Sequence, residues 1–125
     1  MSDIKKNLGR FFEDYAVGDI IAHATPRTLT EADASLYTAI YPTRFALQSS
    51  KQFAKNCGLK DRPLDDLIVF HTVFGKTVPD ISINAVANLG YAEGKFSNAV
   101  FAGETLSVTS EIIGLKQNSN GKTGI

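Results

Sequence analysis

The chain of 125 residues is long enough for one domain and too short for two of ordinary size. Its 13 basic residues equal its 13 acidic residues. This balance gives no reason to expect a nucleic acid or an acidic membrane as partner, since both bind surfaces rich in Lys and Arg. A hydrophobic fraction of 43% with 21% charged residues is typical of a globular domain and excludes a disordered chain.

The sequence also predicts where the protein works. No apolar run reaches the roughly 20 residues of a membrane-spanning helix, and the first residues lack the apolar core of a signal peptide. Cys57 is the single cysteine, so no disulfide forms within the chain. The two histidines and this cysteine do not have the spacing of a metal site. We therefore expect a cytoplasmic protein without a bound metal, with a flexible N-terminus over residues 1–8.

The first part of the chain predicts a strand followed by a helix. Residues 20–29 read as a strand of mixed alternation that Pro26 interrupts. Thr30 is a suitable N-cap for a helix, and Asp33 three residues later can bind the free N–H of the cap in return. The helix should end at Tyr41, because the residue before a proline disfavours helical backbone.

Two more helices are expected. One covers residues 49–56 and has Gly58 as its stop. The other covers residues 63–78, and because it is apolar on nearly every side it should be buried. Pro63 suits its first position, and Pro79 should end it.

The last third of the chain predicts antiparallel strands. Residues 84–96 form one candidate, and residues 106–112 form another with apolar and polar residues in alternation. Asn120-Gly121 is a strong signal for a hairpin turn. Since only four residues follow Gly121, the returning strand has hardly begun, and we expect the chain to be truncated at its C-terminal end.

This order of elements predicts an α+β protein. The order is a strand, a small helical region, one apolar central helix and then antiparallel strands. It fits a curved antiparallel sheet wrapped round a central helix, which is the hotdog fold.

Four segments resemble the MaoC-like hydratases, which are hotdog enzymes. Phe70-His71 stands where many members carry Ala-His-Gly in the central helix, and Thr30-Glu31-Ala32-Asp33 matches their usual helix start. The other two are Gly9-Arg10-Phe11-Phe12-Glu13-Asp14, followed by Val17-Gly18-Asp19, and Phe101-Ala102-Gly103-Glu104-Thr105-Leu106.

Longer runs narrow this resemblance to the mesaconyl-CoA (2-methylfumaryl-CoA) hydratase family. They are Leu67–Asp80, Asn84–Gly94, and Ile113–Lys116 with Asn118–Gly124. The resemblance covers nearly the whole chain from Gly9 onward.

The resemblance implies a protein of two fused hotdog repeats, of which residues 9–125 are the N-terminal one. Such enzymes add water reversibly across the double bond of an enoyl-CoA thioester, here mesaconyl-CoA to β-methylmalyl-CoA. No cofactor is implied, because CoA is part of the substrate. The implied partners are the second hotdog repeat, in the same chain or in another, and further copies in a homo-oligomer such as a dimer.

The resemblance also implies that this repeat does not carry the proton-transferring residues. MaoC-like hydratases use an Asp and a His five residues apart in a loop that falls here on residues 41–48. Thr43 and Gln48 occupy those two positions. A hydroxyl is too weak a base near neutral pH and an amide does not titrate. We therefore expect no catalytic residue in this chain and an acid/base pair in the second repeat.

Three residues are candidates for substrate binding. Arg44 could form a bidentate ion pair with the free carboxylate of mesaconyl-CoA, or it is an ordinary surface arginine. Gln48 could orient a water or the thioester carbonyl. His71 could donate to the thioester, although its apolar helix favours a histidine satisfied within the core.

Two other readings stay open. Asp65 or Asp66 could serve as the base of a hotdog thioesterase, although a carboxylate in the first turn of a helix more often stabilises that helix. The chain could also be a non-catalytic acyl-CoA-binding module that pairs with a catalytic hotdog partner. His23, in the first strand, is expected to be exposed or paired and to have no role in function.

Overall fold

The structure is a computed structural model that describes residues 9–42 and 45–125. Two compact units make up these residues. The first unit contains the described residues up to Thr25 together with Phe74–Gly90 and Val108–Ile125. The second unit contains Tyr91–Ser107 and the described residues of Pro26–Val73.

The predicted strand over residues 20–29 is two short strands. Strand β1 (Ile20–Ala22) and strand β2 (Arg27–Thr28) are separated by Thr25, whose φ of 59° lies in the left-handed region, and by Pro26, which has no N–H to donate. In the second half of the chain, β3 (Thr105–Leu106) and β4 (Thr109–Glu111) replace the single strand expected over residues 106–112. The alternation is confirmed, since Val108 is buried between exposed neighbours.

Each unit has one antiparallel pair of strands. In the first unit β1 pairs with β4, so that Ile21 lies opposite Ser110. In the second unit β2 pairs with β3, so that Arg27 lies opposite Leu106.

Helix α1 (Glu31–Ile40) begins where the capping pattern predicts. The Asp33 N–H donates to Thr30 Oγ1 at 3.3 Å, and the Thr30 N–H donates to Asp33 Oδ2 at 2.9 Å. The Thr30 hydroxyl, which donates to Asp33 Oδ2 at 2.8 Å, and the Thr30 N–H hold the pKa of the Asp33 carboxyl below its usual value. The capping box is therefore confirmed.

Replacement of Thr30 by alanine should lower the free energy of unfolding by about 1 kcal/mol, because it leaves an N–H at the start of α1 without its side-chain acceptor. Thr30→Ser keeps the hydroxyl and should stay close to the wild type. Urea unfolding followed by circular dichroism would measure both. Equal losses for the two variants would show that the cap does not stabilise the helix.

The second helical piece is two helices, α2 (Ala46–Ser49) and α3 (Lys51–Asn56). They are separated at Ser50, whose backbone is extended and whose side chain accepts from the Phe53 N–H at 3.2 Å. The chain leaves α3 through Gly58, which has a φ of +88°, so the predicted glycine stop is confirmed.

Helix α4 (Asp66–Thr77) is the central apolar helix, but it begins later than predicted. Pro63 does not start it, because the Leu64 N–H donates to the Val100 carbonyl at 2.8 Å and holds that segment extended. Pro79 does not end the helical path, since a π-helical turn over Val78–Ser82 follows directly.

The prediction that α4 is buried on every side is wrong for the described chain. None of its residues is buried, and the Leu67 side chain is 53% exposed. The physical reason is that the described strands contain at most three residues each and cannot surround a helix of three turns.

The strand expected over residues 84–96 is also wrong, because neither sheet contains any of these residues. Gly90, with a φ of 147°, and Glu93, with a φ of 54°, depart from strand backbone. The hairpin at Asn120-Gly121 is confirmed. Lys116 and Ile125 exchange two backbone hydrogen bonds of 2.8 Å across it.

A cluster of buried hydrophobic side chains lies in the second unit. Leu29, with no exposed surface, packs with Ala34 and Leu64. The partly buried side chains around them are Ile68, Val69, Val100 and Leu106. Among the described helices, none has the length and apolar character to cross a membrane.

Candidate functional site

The loop that the resemblance aligns with the proton-transferring pair is only partly described. Thr43 and Arg44 lie outside the described residues. Gln48 is half-buried on α2, and its backbone carbonyl accepts a hydrogen bond from Arg62 Nη1 at 3.1 Å. A glutamine amide does not titrate, so the described part of this loop has no general base at that position.

Arg62 holds this loop to the start of α1. Its guanidinium, only 13% exposed, lies 2.6 Å from Glu31 Oε2 and also binds the Gln48 carbonyl. Lys51, at the start of α3, lies 3.1 Å from the other oxygen of Glu31. The hydrogen bond from Arg62 lowers the pKa of the Glu31 carboxyl. The Arg62–Glu31 pair therefore stabilises the folded chain fully at pH values above the pKa that Glu31 has in the unfolded chain. This stabilisation is lost as the pH falls through the lower pKa of Glu31 in the folded chain.

Beside this loop lies an open groove of about 460 Å³ in the second unit. The rings of Tyr37 and Tyr41 form one wall, with their centres 5.1 Å apart. Partial burial raises the pKa of the Tyr37 hydroxyl. The lining of the groove, among the residues that the structure describes, is Tyr37, Ile40, Tyr41, Pro42, Asp65 and Leu67. The described part of this lining is largely apolar and contains no Lys or Arg, which suits an uncharged part of a ligand rather than a phosphate.

His71 is exposed on α4, so the expectation of a histidine satisfied within the core is wrong. Its ring lies edge-on to Phe70, with centres 5.7 Å apart. Phe70 in turn meets Tyr91 at 5.2 Å and nearly at right angles. The helix therefore presents an imidazole at the edge of an aromatic cluster.

Asp65 and Asp66, the carboxylates considered as the base of a thioesterase, lie where they stabilise the start of α4. Asp65 Oδ1 accepts the Leu67 N–H at 2.8 Å, which caps the first turn of α4. Asp66 is the first residue of the helix, where the dipole favours negative charge. Within the described residues, no three His, Cys, Asp or Glu side chains could hold a metal ion together.

The first unit contains a polar cluster that the sequence patterns did not predict. The His23 side chain has no exposed surface, and its Nδ1 lies 2.9 Å from Asp80 Oδ2. Its Nε2 lies 2.8 Å from Ser110 Oγ. His23 is thus paired, which was one of the two expected states. Only its place two residues after the buried Ile21 could have indicated that it faces inward.

The cluster contains the three residue types of a serine hydrolase's catalytic triad. Its imidazole, however, is not accessible to a substrate. An ionised carboxylate only accepts, so the imidazole donates to Asp80 through Nδ1, and its Nε2 shares a hydrogen bond with the Ser110 hydroxyl. A fully covered imidazole cannot reach a leaving group. Its role is structural, since it ties the π-helical turn to β4.

The N-terminal segment holds the same turn from another side. The Tyr15 hydroxyl donates to the Ile81 carbonyl at 2.9 Å, and Arg10 Nη1 donates to the Asp80 carbonyl at 3.4 Å. Burial raises the pKa of Tyr15. These bonds satisfy carbonyls that a helix end leaves free.

Solved structures define the class of fold. The chain superposes on a MaoC domain protein dehydratase from Chloroflexus aurantiacus with a TM-score of 0.92 and 61% identity, over 98% of this chain and 35% of the other. It also superposes on the monoamine oxidase regulatory protein of an Archaeoglobus species, with a TM-score of 0.75 at 22% identity, over 89% of this chain and 75% of that one. The chain has the MaoC-type hotdog fold. The order of its elements predicted the hotdog fold, and the resemblance of its segments predicted the MaoC type.

A family model described as mesaconyl-CoA hydratase matches residues 2–125, and the chain belongs to that family. It is 61% identical over 121 residues to the β-methylmalyl-CoA dehydratase of Chloroflexus aurantiacus, covering 97% of this chain and 34% of the relative. It is 60% identical over 122 residues to the mesaconyl-CoA hydratase of Cereibacter sphaeroides, covering 98% and 36%. The chain thus spans about a third of the length of these relatives.

Proposed function

We propose that the protein to which this chain belongs adds water reversibly to mesaconyl-CoA, giving β-methylmalyl-CoA. The observation that supports this most strongly is the identity of about 60% to two relatives whose names describe the two directions of one reaction. Both matches extend over nearly all of this chain.

Within that protein, the chain shapes the substrate site and does not transfer protons. Hydration needs a base to activate water, an acid to protonate the carbon beside the thioester, and a donor to the enolate oxygen. Gln48 stands at one of the two positions that the acid/base pair usually occupies. Its amide can act neither as the base nor as the acid. We place the acid/base pair in a second hotdog repeat, and we expect the repeats to assemble as a homo-oligomer in the cytoplasm.

Three contributions to binding are proposed for this repeat. The exposed His71 imidazole can donate a hydrogen bond to the thioester oxygen, and Gln48 can orient a water or the same carbonyl. Arg44 can bind the free carboxylate of the substrate. The apolar groove of Tyr37 and Tyr41 suits an uncharged part of the substrate, and the reaction needs no cofactor because CoA is part of the substrate.

The reaction is tested by mixing the complete protein with mesaconyl-CoA and following two signals together. Hydration removes the absorbance of the enoyl thioester without releasing thiol. A thioesterase would release free CoA, and a binding module would do neither while still showing saturable affinity. Thiol release that matches the loss of absorbance would contradict the proposal, as would binding without any loss of absorbance.

Arg44→Ala should raise the KM for mesaconyl-CoA about tenfold or more, because a charge-assisted pair contributes about 1.5–3 kcal/mol and each 1.4 kcal/mol is a factor of ten. The KM for an enoyl-CoA without a free carboxylate, such as crotonyl-CoA, should stay the same. Arg44→Lys is the matched control, since it keeps the charge and loses the bidentate geometry. Equal losses with both substrates would show that Arg44 does not bind the carboxylate.

A further inference from the structure

The hairpin near the end of the first unit exposes an Asn-Gly pair at its tip. Asn120 and Gly121 are both exposed, and Gly121 has a φ of +65°. The Gly121 N–H donates to the Asn118 carbonyl at 3.0 Å. Because glycine has no side chain, nothing on its own Cα shields the backbone nitrogen that lies next to the Asn120 side chain.

Backbone donors polarise the side-chain carbonyl of Asn120. Its Oδ1 accepts the Lys122 N–H at 2.9 Å and the Thr123 N–H at 3.2 Å. Its Nδ2 donates to Thr123 Oγ1 at 3.1 Å. Two N–H groups aimed at one carbonyl oxygen are the arrangement that stabilises an oxyanion when a nucleophile attacks the carbon.

We propose that Asn120 is a site of spontaneous deamidation that this turn promotes. The Gly121 nitrogen forms a bond to Asn120 Cγ, the Cγ–Nδ2 bond breaks, and ammonia leaves with the proton that the Gly121 nitrogen gives up. Water then opens the cyclic imide at either carbonyl, which leaves aspartate or isoaspartate at position 120. Water is the only co-reactant. The hydrogen bond from the Gly121 N–H to the Asn118 carbonyl must open before the nitrogen can attack.

The product changes the hairpin. Each event adds one negative charge at the tip, and isoaspartate also lengthens the backbone by one carbon, which shifts the pairing of Lys116 with Ile125. Gly124 on the returning strand lies against Phe12, since a Cβ at position 124 would be 2.2 Å from a carbon of that ring. A shifted hairpin would therefore disturb the 3-10 helix at Phe12–Asp14.

Asn118 is a matched control within the same turn. Its Nδ2 donates to Thr123 Oγ1 at 2.9 Å, much as that of Asn120 does. In the part of the chain that the structure describes, however, no backbone N–H donates to its Oδ1, and Ser119 rather than glycine follows it. In the folded state, Asn120 therefore differs from Asn118 because backbone N–H groups polarise its side-chain carbonyl.

The test is to incubate the complete protein, native and in concentrated urea, at mildly alkaline pH, and to map the deamidated peptides by mass spectrometry. Asn120 should react severalfold faster than Asn118 in the native protein, and the ratio of the two rates should exceed the ratio in urea. In urea, where the turn is absent, Gly121→Ala should slow the Asn120 reaction and leave the Asn118 reaction unchanged. A native ratio equal to or below the ratio in urea would overturn the proposal, because the turn would then leave Asn120 unaffected or protect it.

Discussion

Replacement of Leu29 by alanine is expected to lower the free energy of unfolding by about 3 kcal/mol. The Leu29 side chain has no exposed surface and packs with Ala34 and Leu64 in the core of the second unit. Its truncation loses the transfer free energy of the buried carbons and leaves a cavity that the surrounding side chains fill only partly. Urea unfolding of the complete protein, followed by far-UV circular dichroism, measures the change.

Two controls separate the packing of Leu29 from other causes. Leu29→Met nearly conserves volume and should cost less than about 1.5 kcal/mol. Leu36→Ala removes the same atoms from a side chain that is 64% exposed, and a surface change of this kind stays within about 0.5 kcal/mol. The backbone bonds of residue 29 with Gly103 and Glu104 do not depend on the side chain. A loss at Leu36 as large as that at Leu29 would contradict the assignment of the core.

Asp80→Ala should lower the free energy of unfolding by about 2–3 kcal/mol. The variant removes the acceptor that lies 2.9 Å from the Nδ1 of a histidine with no exposed surface. The imidazole then keeps Ser110 as a partner on its other nitrogen but has a buried donor without an acceptor. An unsatisfied buried donor costs more than the net contribution of the hydrogen bond that it loses. The same urea titration measures the loss.

A double replacement tests whether the pairing causes this loss. His23→Leu with Asp80→Ala removes both partners, and the replacement of a polar pair by apolar groups is often close to neutral. The double variant should therefore be more stable than Asp80→Ala alone, and Asp80→Asn, which keeps a side-chain oxygen, should fall between wild type and Asp80→Ala. The double variant is compared with His23→Leu and Asp80→Ala measured singly. A loss of unfolding free energy equal to the sum of the two single losses would show that the residues act independently.

The chemical properties of the residues at the candidate site could be predicted from the sequence. The contacts that position these residues could not. That Gln48 cannot act as a base follows from its side chain alone. Its anchoring by Arg62 joins residues 14 apart in sequence, and the pair of Arg62 with Glu31 joins residues 31 apart. The exposure of His71 depends on which strands cover α4, and its apolar neighbours in sequence indicated burial.

By itself the sequence determined the local features of this protein and its family. The cap of Thr30 with Asp33, the stop at Gly58 and the turn at Asn120-Gly121 each depend on residues within a few positions of one another, so their chemistry is readable in the chain. Only the tertiary structure decided that His23 meets Asp80 and Ser110, which lie 57 and 87 residues away. It also decided where α4 begins, because Leu64 is held by Val100. Contacts at such separations depend on how the chain packs, and the pattern of residues around each partner does not specify them.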